Sequence, residues 1–158
     1  MARTVPFLRL LAVVASLLGL AACGGGSTNS GPFGTIGNPN TFSAVCDPGT
    51  QVQLASPTPG QTGVSSNIGS IIVVANGNAN TLYNSYQSWN VILQDNFGNT
   101  ITGGPLSLVP FNSGPHPYGS DFYYSSSIPS LAPGRNWNVG LVQSFSNCSP
   151  YSLFGFST

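Results

Sequence analysis

The chain has 158 residues and carries very little charge, with three arginines, three aspartates and neither lysine nor glutamate. So few cations exclude nucleic acid and acidic lipid as partners bound through counterion release. Low charge can also indicate disorder, but aromatic and β-branched residues are too abundant here for that interpretation. The sequence is therefore able to form a folded core.

Residues 1–22 are interpreted as a signal peptide. Arg3 and Arg9 give a basic start, and an uncharged apolar run follows from Leu10 to Ala22. The run has the length of a signal-peptide apolar region and falls short of the roughly 20 residues that a membrane-spanning helix needs. We therefore expect this segment to direct export and to take no part in the fold.

The end of this run, Leu20-Ala21-Ala22-Cys23, resembles the lipobox of bacterial lipoproteins. The resemblance implies that the Cys23 sulfur takes a diacylglycerol, that cleavage precedes Cys23, and that this residue becomes an acylated N-terminus. The alternative is an ordinary secretory signal with a cysteine nearby. Because two or more acyl chains hold a protein firmly on a membrane, we expect a lipid-anchored protein of the bacterial cell envelope. Gly24 is not the aspartate that retains lipoproteins at the inner membrane in familiar Gram-negative systems, which favours the outer membrane or cell surface.

Residues 23–45, rich in Gly, Ser, Asn and Pro, are predicted to form a flexible tether that spans on the order of 25 Å. Residues 46–158, about 113 in number, have the size of one domain. Cleavage would leave the mature chain with one cation, Arg135, against three aspartates, a formal charge of −2.

Two cysteines remain once Cys23 is assigned to the anchor. Disulfides persist in the compartments that an exported chain reaches, and Cys46 and Cys148 have one possible intramolecular pairing. The alternative is a pair of unrelated buried thiols. We expect the disulfide.

Seven short apolar segments within residues 46–158 are rich in β-formers and are separated by turn residues, and no window has a sustained helical period. They are residues 51–55, 70–75, 88–95, 99–109, 121–128, 136–145 and 151–157. This pattern predicts an all-β antiparallel sandwich. Alternation is clearest in the third and sixth segments, whose predicted core residues are Trp89, Val91, Leu93 and Trp137, Val139, Leu141.

Residues 127–142 resemble the crossing between strands E and F of fibronectin type III and related immunoglobulin-like domains. The matching residues are Ile128, Leu131, Pro133, Gly134, Trp137 and Val139. Trp137 stands where those domains have a tyrosine whose hydroxyl ties down the corner, and an indole can donate but not accept a hydrogen bond. The resemblance thus implies the packing role for Trp137 but not the corner hydrogen bond of the tyrosine.

Residues 56–67 resemble the opening of bacterial immunoglobulin-like repeats. Together the two resemblances imply a single seven-stranded immunoglobulin-like sandwich with fibronectin type III-like topology. That topology places Cys46, Cys148 and the loop 76–87 at one pole, and the turn 95–99 at the other.

Catalytic and metal-binding arrangements are not indicated. His116 is the single histidine, and no G-x-S-x-G or other nucleophile motif accompanies it. Asp95, in Asp-Asn-Phe-Gly-Asn, could belong to a calcium loop, but a hairpin turn is the simpler interpretation. We therefore predict a non-enzymatic protein with neither metal nor cofactor.

Five loop residues are candidates for ligand binding: Tyr83, Tyr86, Tyr118, Tyr123 and His116. Exposed tyrosines among Asn and Ser could stack on sugar rings, although aromatic residues in a sandwich more often lie in the core. The sequence thus favours a membrane-anchored protein-interaction or structural module with an envelope protein as partner. Its alternative is a carbohydrate-binding module, for which coplanar, exposed tyrosine rings are required.

Overall fold

A computed structural model describes residues 44–77 and 81–158. These residues form two antiparallel four-stranded sheets, a β-sandwich, as the sequence predicts. The strands are β1 (Val52–Ser56), β2 (Ser70–Asn76), β3 (Trp89–Asp95), β4 (Thr100–Pro105), β5 (Ser107–Val109), β6 (Asp121–Ser127), β7 (Asn136–Gln143) and β8 (Tyr151–Ser157). Two single-turn 3-10 helices, Leu82–Asn84 and Tyr86–Ser88, precede β3. The predicted signal peptide, Cys23 and the tether up to residue 43 lie outside the described residues.

The strand order is β1-β2-β6-β5 in one sheet and β4-β3-β7-β8 in the other. Each sheet is organised around a long central pair in continuous register. In the first, β2 pairs with β6 from Ser70 opposite Ser127 to Asn76 opposite Asp121. In the second, β3 pairs with β7 along the whole length of β3. Within the described residues, no helix is long and apolar enough to cross a membrane.

The two faces predicted for the core are confirmed. Val91 lies opposite Leu141 and Leu93 lies opposite Val139, so the two faces are side by side in one sheet. Both face the inner residues of the other sheet, Leu54, Ile71, Val73, Ala75 and Tyr124. Full burial of such a side chain contributes roughly 1.5–3 kcal/mol, so this double layer supplies most of the stability.

The segment 99–109, predicted as one strand, contains two, so the strand count is eight and not seven. β4 ends at Pro105, whose nitrogen has no hydrogen to donate to a further ladder bond. Leu106 then turns into the core, 1% exposed, and its N–H donates to the carbonyl of Trp89. From Ser107 the chain pairs with β6 and thereby passes from one sheet to the other.

The outer side of β8 is covered at both ends. At its start, the segment 44–46 exchanges backbone hydrogen bonds with Ser149. At its end, Ser157 accepts from the N–H of Val64 and donates to Gln61. Between these contacts the register with β7 shifts, and Phe154 bulges outward with a φ of 72°.

We call one end of the sandwich the disulfide pole, formed by residues 44–50, 81–88, 110–120 and 144–150. Cys46 and Cys148, 102 residues apart in sequence, form a disulfide there with a Cα–Cα distance of 5.0 Å. Thr81 Oγ1 donates to the carbonyl of Pro48 at 3.0 Å. The pairing and the position of the loop after β2 agree with the sequence prediction. The turn after Asp95 lies at the opposite end.

Candidate functional site

Tyr83 and Tyr86 lie on the two 3-10 helices of the disulfide pole. The Tyr83 side chain is 45% exposed, and its ring centre lies 5.1 Å from that of Phe122, at an interplanar angle of 58°. Tyr86 is half-buried against Tyr124, with ring centres 5.3 Å apart. Both rings therefore already use part of their surface in packing.

Tyr118, from the 110–120 loop of the disulfide pole, and Tyr123, on β6, lie on the outer face of the sheet β1-β2-β6-β5. Because side chains alternate along a strand, Tyr123 points away from the core that holds Tyr124. It packs with Ala55 and Val74 under Phe111 and Tyr118, and only 6% of it is exposed. The four tyrosines thus occupy two separate places and share no exposed plane of the kind that sugar stacking on them requires.

His116 is brought to the same outer face by the loop between β5 and β6. Its Nδ1 lies 3.2 Å from Asp121 Oδ2 and 2.8 Å from the Tyr123 hydroxyl oxygen. The Tyr123 hydroxyl in turn lies 2.6 Å from the carbonyl oxygen of Pro115. The His116 and Tyr123 rings meet edge to face, with centres 5.8 Å apart.

This arrangement determines which imidazole nitrogen of the neutral His116 ring carries the proton. The carbonyl of Pro115 can only accept, so the Tyr123 hydroxyl donates its one hydrogen there. Nδ1 then faces a hydroxyl lone pair and a carboxylate oxygen, and it must be the donor to both. In the neutral ring, Nε2 is consequently left as a hydrogen-bond acceptor.

Asp121 helps to orient the His116 ring through its contact with Nδ1. Its side chain is only 9% exposed, and its Oδ1 accepts from the backbone N–H of Tyr118 at 3.0 Å. Burial, followed by the nearby Asp121 charge, raises the pKa of Tyr123 above 10.0. The Tyr123 hydroxyl therefore stays protonated at neutral pH and keeps its role as a donor.

An open groove of about 680 Å³ lies beside His116. Its wall combines polar and apolar surface, and its polar groups include the His116 ring and the Asn112 amide. Its lining residues include Leu108, Pro110, Phe111, Asn112, His116 and Phe122. A second groove of about 580 Å³ follows residues 83–88. Phe122, which packs against Tyr83, stands between the two.

The arrangement differs from a Ser-His-Asp triad, because the hydroxyl that contacts His116 belongs to Tyr123. Sequence reasoning selected His116 and Tyr123 separately but missed Asp121 as their partner. A signal was present in the sequence: residues 121 and 123 share one face of a strand, and His116 lies in the loop immediately before that strand. The sequence predicts a loop before this strand, but it does not predict that the loop folds back over the sheet.

Asp95 uses its carboxylate to hold a turn. Oδ1 accepts from the backbone N–H groups of Phe97 and Asn99, and Oδ2 accepts from the Asn99 side chain. These bonds favour the turn over the calcium loop as the role of this aspartate. Within residues 44–77 and 81–158, no three His, Cys, Asp or Glu side chains lie together as a metal site.

The chain was compared with protein-family models, curated proteins and solved structures. No protein-family model, no curated protein and no solved structure matches the chain significantly.

Proposed function

We propose that this chain is a bacterial envelope lipoprotein, anchored through acylated Cys23, whose folded domain is an immunoglobulin-like interaction module without catalytic activity. The lipobox-like Leu20-Ala21-Ala22-Cys23 supports the anchor. The tether would hold the domain on the order of 25 Å from the membrane. A second envelope protein is the expected partner.

The immunoglobulin-like assignment is supported by strand order. Immunoglobulin-type sandwiches place strands A-B-E-D in one sheet and C, F and G in the other, with C′ beside C in some members. If β1 to β8 are labelled A, B, C, C′, D, E, F and G, both observed orders follow that scheme. The eighth strand arises because C′ and D lie in one continuous apolar segment.

The observation that carries the interaction role is the disulfide pole. It gathers several loops at one end. The Cys46–Cys148 disulfide joins two of them, and the Thr81 hydrogen bond to Pro48 attaches a third. Serine is the most frequent residue in these loops, followed by proline and then by tyrosine, glycine and asparagine. Tyrosine, serine, glycine and asparagine also give antibody loops rigid contact area and adaptable hydrogen bonds. Tyr83 and the fully exposed Phe145 provide apolar anchors at this pole.

The anchor is tested by mass spectrometry of the mature N-terminus and by membrane fractionation. We expect an acylated Cys23, and we expect Cys23→Ala to lose membrane association. An unmodified cysteine, or a mature chain that begins elsewhere, would contradict the anchor.

The interaction role is tested by crosslinking in intact envelopes. We expect Tyr83→Ser with Phe145→Ser to lose the crosslinked protein, because both rings lie at the disulfide pole. Phe154→Ser is the matched control, since this exposed aromatic lies on β8 away from the pole loops. Loss of the crosslink in the Phe154 variant alone would place the interface elsewhere, and no crosslinked protein in any variant would reject a protein partner.

A further inference from the structure

We propose that the groove beside His116 is a binding site for a neutral saccharide, in which a sugar hydroxyl donates to Nε2 of His116. The site differs from the tyrosine stacking that the sequence suggested. It does not depend on the lipid anchor. The loop residues that line it, within 110–120, belong to the disulfide pole, whose Tyr83 and Phe145 are the expected contacts of the protein partner.

The first step concerns the acceptor. Nδ1 of His116 is committed as a donor to Tyr123 and Asp121, which fixes the orientation of the ring. The side chain is nevertheless 63% exposed, and the neutral ring offers a lone pair at Nε2. A ligand for this nitrogen must bring a polar hydrogen.

The second step concerns the wall of the groove. Leu108 is 44% exposed, and Leu108, Phe111 and Phe122 line the same groove as the imidazole. The Asn112 amide can both donate and accept. A sugar ring combines an apolar face of C–H groups with hydroxyls at its rim, which suits an aromatic wall with a polar end.

The third step concerns charge. Arg135, the single arginine within residues 44–158, is engaged with Asp95 at the opposite pole. The charged side chain at the groove is Asp121, a carboxylate that disfavours anions. An anionic occupant is therefore disfavoured. Because the two Asp121 oxygens already accept from His116 and from the Tyr118 N–H, the expected occupant is neutral. A proline-rich peptide could cover the apolar side chains of Leu108 and Phe111. Because proline has no backbone N–H, such a peptide would lack the hydrogen that Nε2 needs.

The test uses the full-length chain, uniformly labelled with a nitrogen isotope, in a neutral detergent. Side-chain nitrogen spectra, recorded at a pH at which the ring is neutral, should show its hydrogen on Nδ1. The probes are cellobiose, maltose, mannobiose and N,N′-diacetylchitobiose, with digalacturonate as the anionic counterpart and a polyproline peptide as the peptide counterpart. At least one neutral disaccharide should shift the Nε2 resonance and the amides of Phe111, Asn112 and Gly119.

Two substitutions separate ligand binding from a merely structural role. His116→Asn keeps a donor near the position of Nδ1 and removes Nε2, so it should weaken binding of that disaccharide at least tenfold. His116→Gln places an amide oxygen near the position of Nε2 and should retain part of the affinity. A structural role alone predicts the reverse order, with Asn retaining binding and Gln losing it.

Several results would overturn the proposal. They are a hydrogen on Nε2 in the neutral ring, no neutral disaccharide shifting the groove amides, or unchanged affinity in His116→Asn. Stronger binding of digalacturonate or of the polyproline peptide than of every neutral disaccharide would also overturn it. Phe154→Ser, a change away from the groove, should bind as the unsubstituted chain does.

Discussion

The guanidinium of Arg135 lies 3.5 Å from the carboxylate of Asp95 and 4.0 Å from the ring centre of Phe97. Asp95 is buried, with 2% of its side chain exposed, and it already accepts three hydrogen bonds from its own turn. The single cation expected in the mature chain thus serves the turn between β3 and β4, which explains why it is not offered to a ligand.

Replacing Asp95 should destabilise the domain in a pH-dependent way. Burial alone would raise the pKa of Asp95, but hydrogen bonds from Asn99 and Phe97, with the charge of Arg135, hold it below 3.8. A carboxyl with a lowered folded-state pKa contributes stability above its unfolded pKa and loses it as the pH falls through the folded value. We expect Asp95→Asn to lower the Tm at pH 7, and the difference to shrink below pH 3.8.

The control for this prediction is Asp47→Asn. Asp47 is exposed and accepts one hydrogen bond, from the N–H of Gly49. Its substitution should change the Tm little at any pH. An Asp95→Asn deficit that stays constant from pH 7 to pH 2.5 would contradict a role for the ionised carboxylate.

A matched pair of glycine substitutions tests the packing of the disulfide pole. Gly49 and Gly60 both have positive φ, 67° and 76°, so alanine costs roughly 1–2 kcal/mol of backbone strain at either position. At Gly49 the new methyl group would also collide with Thr81, while at Gly60 nothing lies within 4 Å. Denaturant unfolding should show Gly49→Ala to be the more destabilising. Equal losses of unfolding free energy in the two variants would mean that the Thr81 side chain moves aside without cost.

Removal of the disulfide should cost about 2–5 kcal/mol of unfolding free energy, since the crosslink closes a long loop. The measurement is urea unfolding of Cys46→Ala with Cys148→Ala. A reducing agent should destabilise the unsubstituted chain by a similar amount and leave the double variant unchanged. If the reducing agent destabilised the unsubstituted chain and the double variant equally, its effect would not come from the Cys46–Cys148 disulfide.

Trp137 provides a test of a missing hydrogen bond. Its side chain is 3% exposed, and its Nε1–H has no acceptor among the described residues. An unpaired buried donor itself costs about 1–3 kcal/mol, so Trp137→Phe removes that cost while keeping an aromatic ring. We expect Trp137→Phe to lose far less stability than Trp137→Ala, which should lose about 3–5 kcal/mol. Similar losses in calorimetry would indicate that the indole N–H is bonded.

The sheets were predictable because their signals are local. Trp89, Val91 and Leu93 alternate with polar residues, and such alternation specifies a half-buried strand whatever lies around it. The sheet change at Leu106 was not predictable, because one buried leucine between two apolar strands has no periodic signature. It follows from the absence of a donor at Pro105 and from the fit of Leu106 into the core.

The candidate site was only partly predictable for a similar reason. His116 stood out as the single histidine, and Tyr123 as one of several loop aromatics. Their contact depends on a loop that folds back over the outer sheet face, where Tyr123 closes over Val74 and Ala55. Such packing depends on how side chains distant in sequence fit together, and local sequence patterns do not predict it.

The covered edge of β8 has a further consequence, for self-association. Exposed edge strands invite pairing with a second copy, and proteins commonly discourage this with lysines along the edge. This chain has no lysine. It instead occupies the edge with its own backbone at Ser149 and Ser157 and breaks the remaining ladder with the bulge at Phe154. Backbone geometry, without any lysine, thus discourages β8 from pairing with a second copy of the chain.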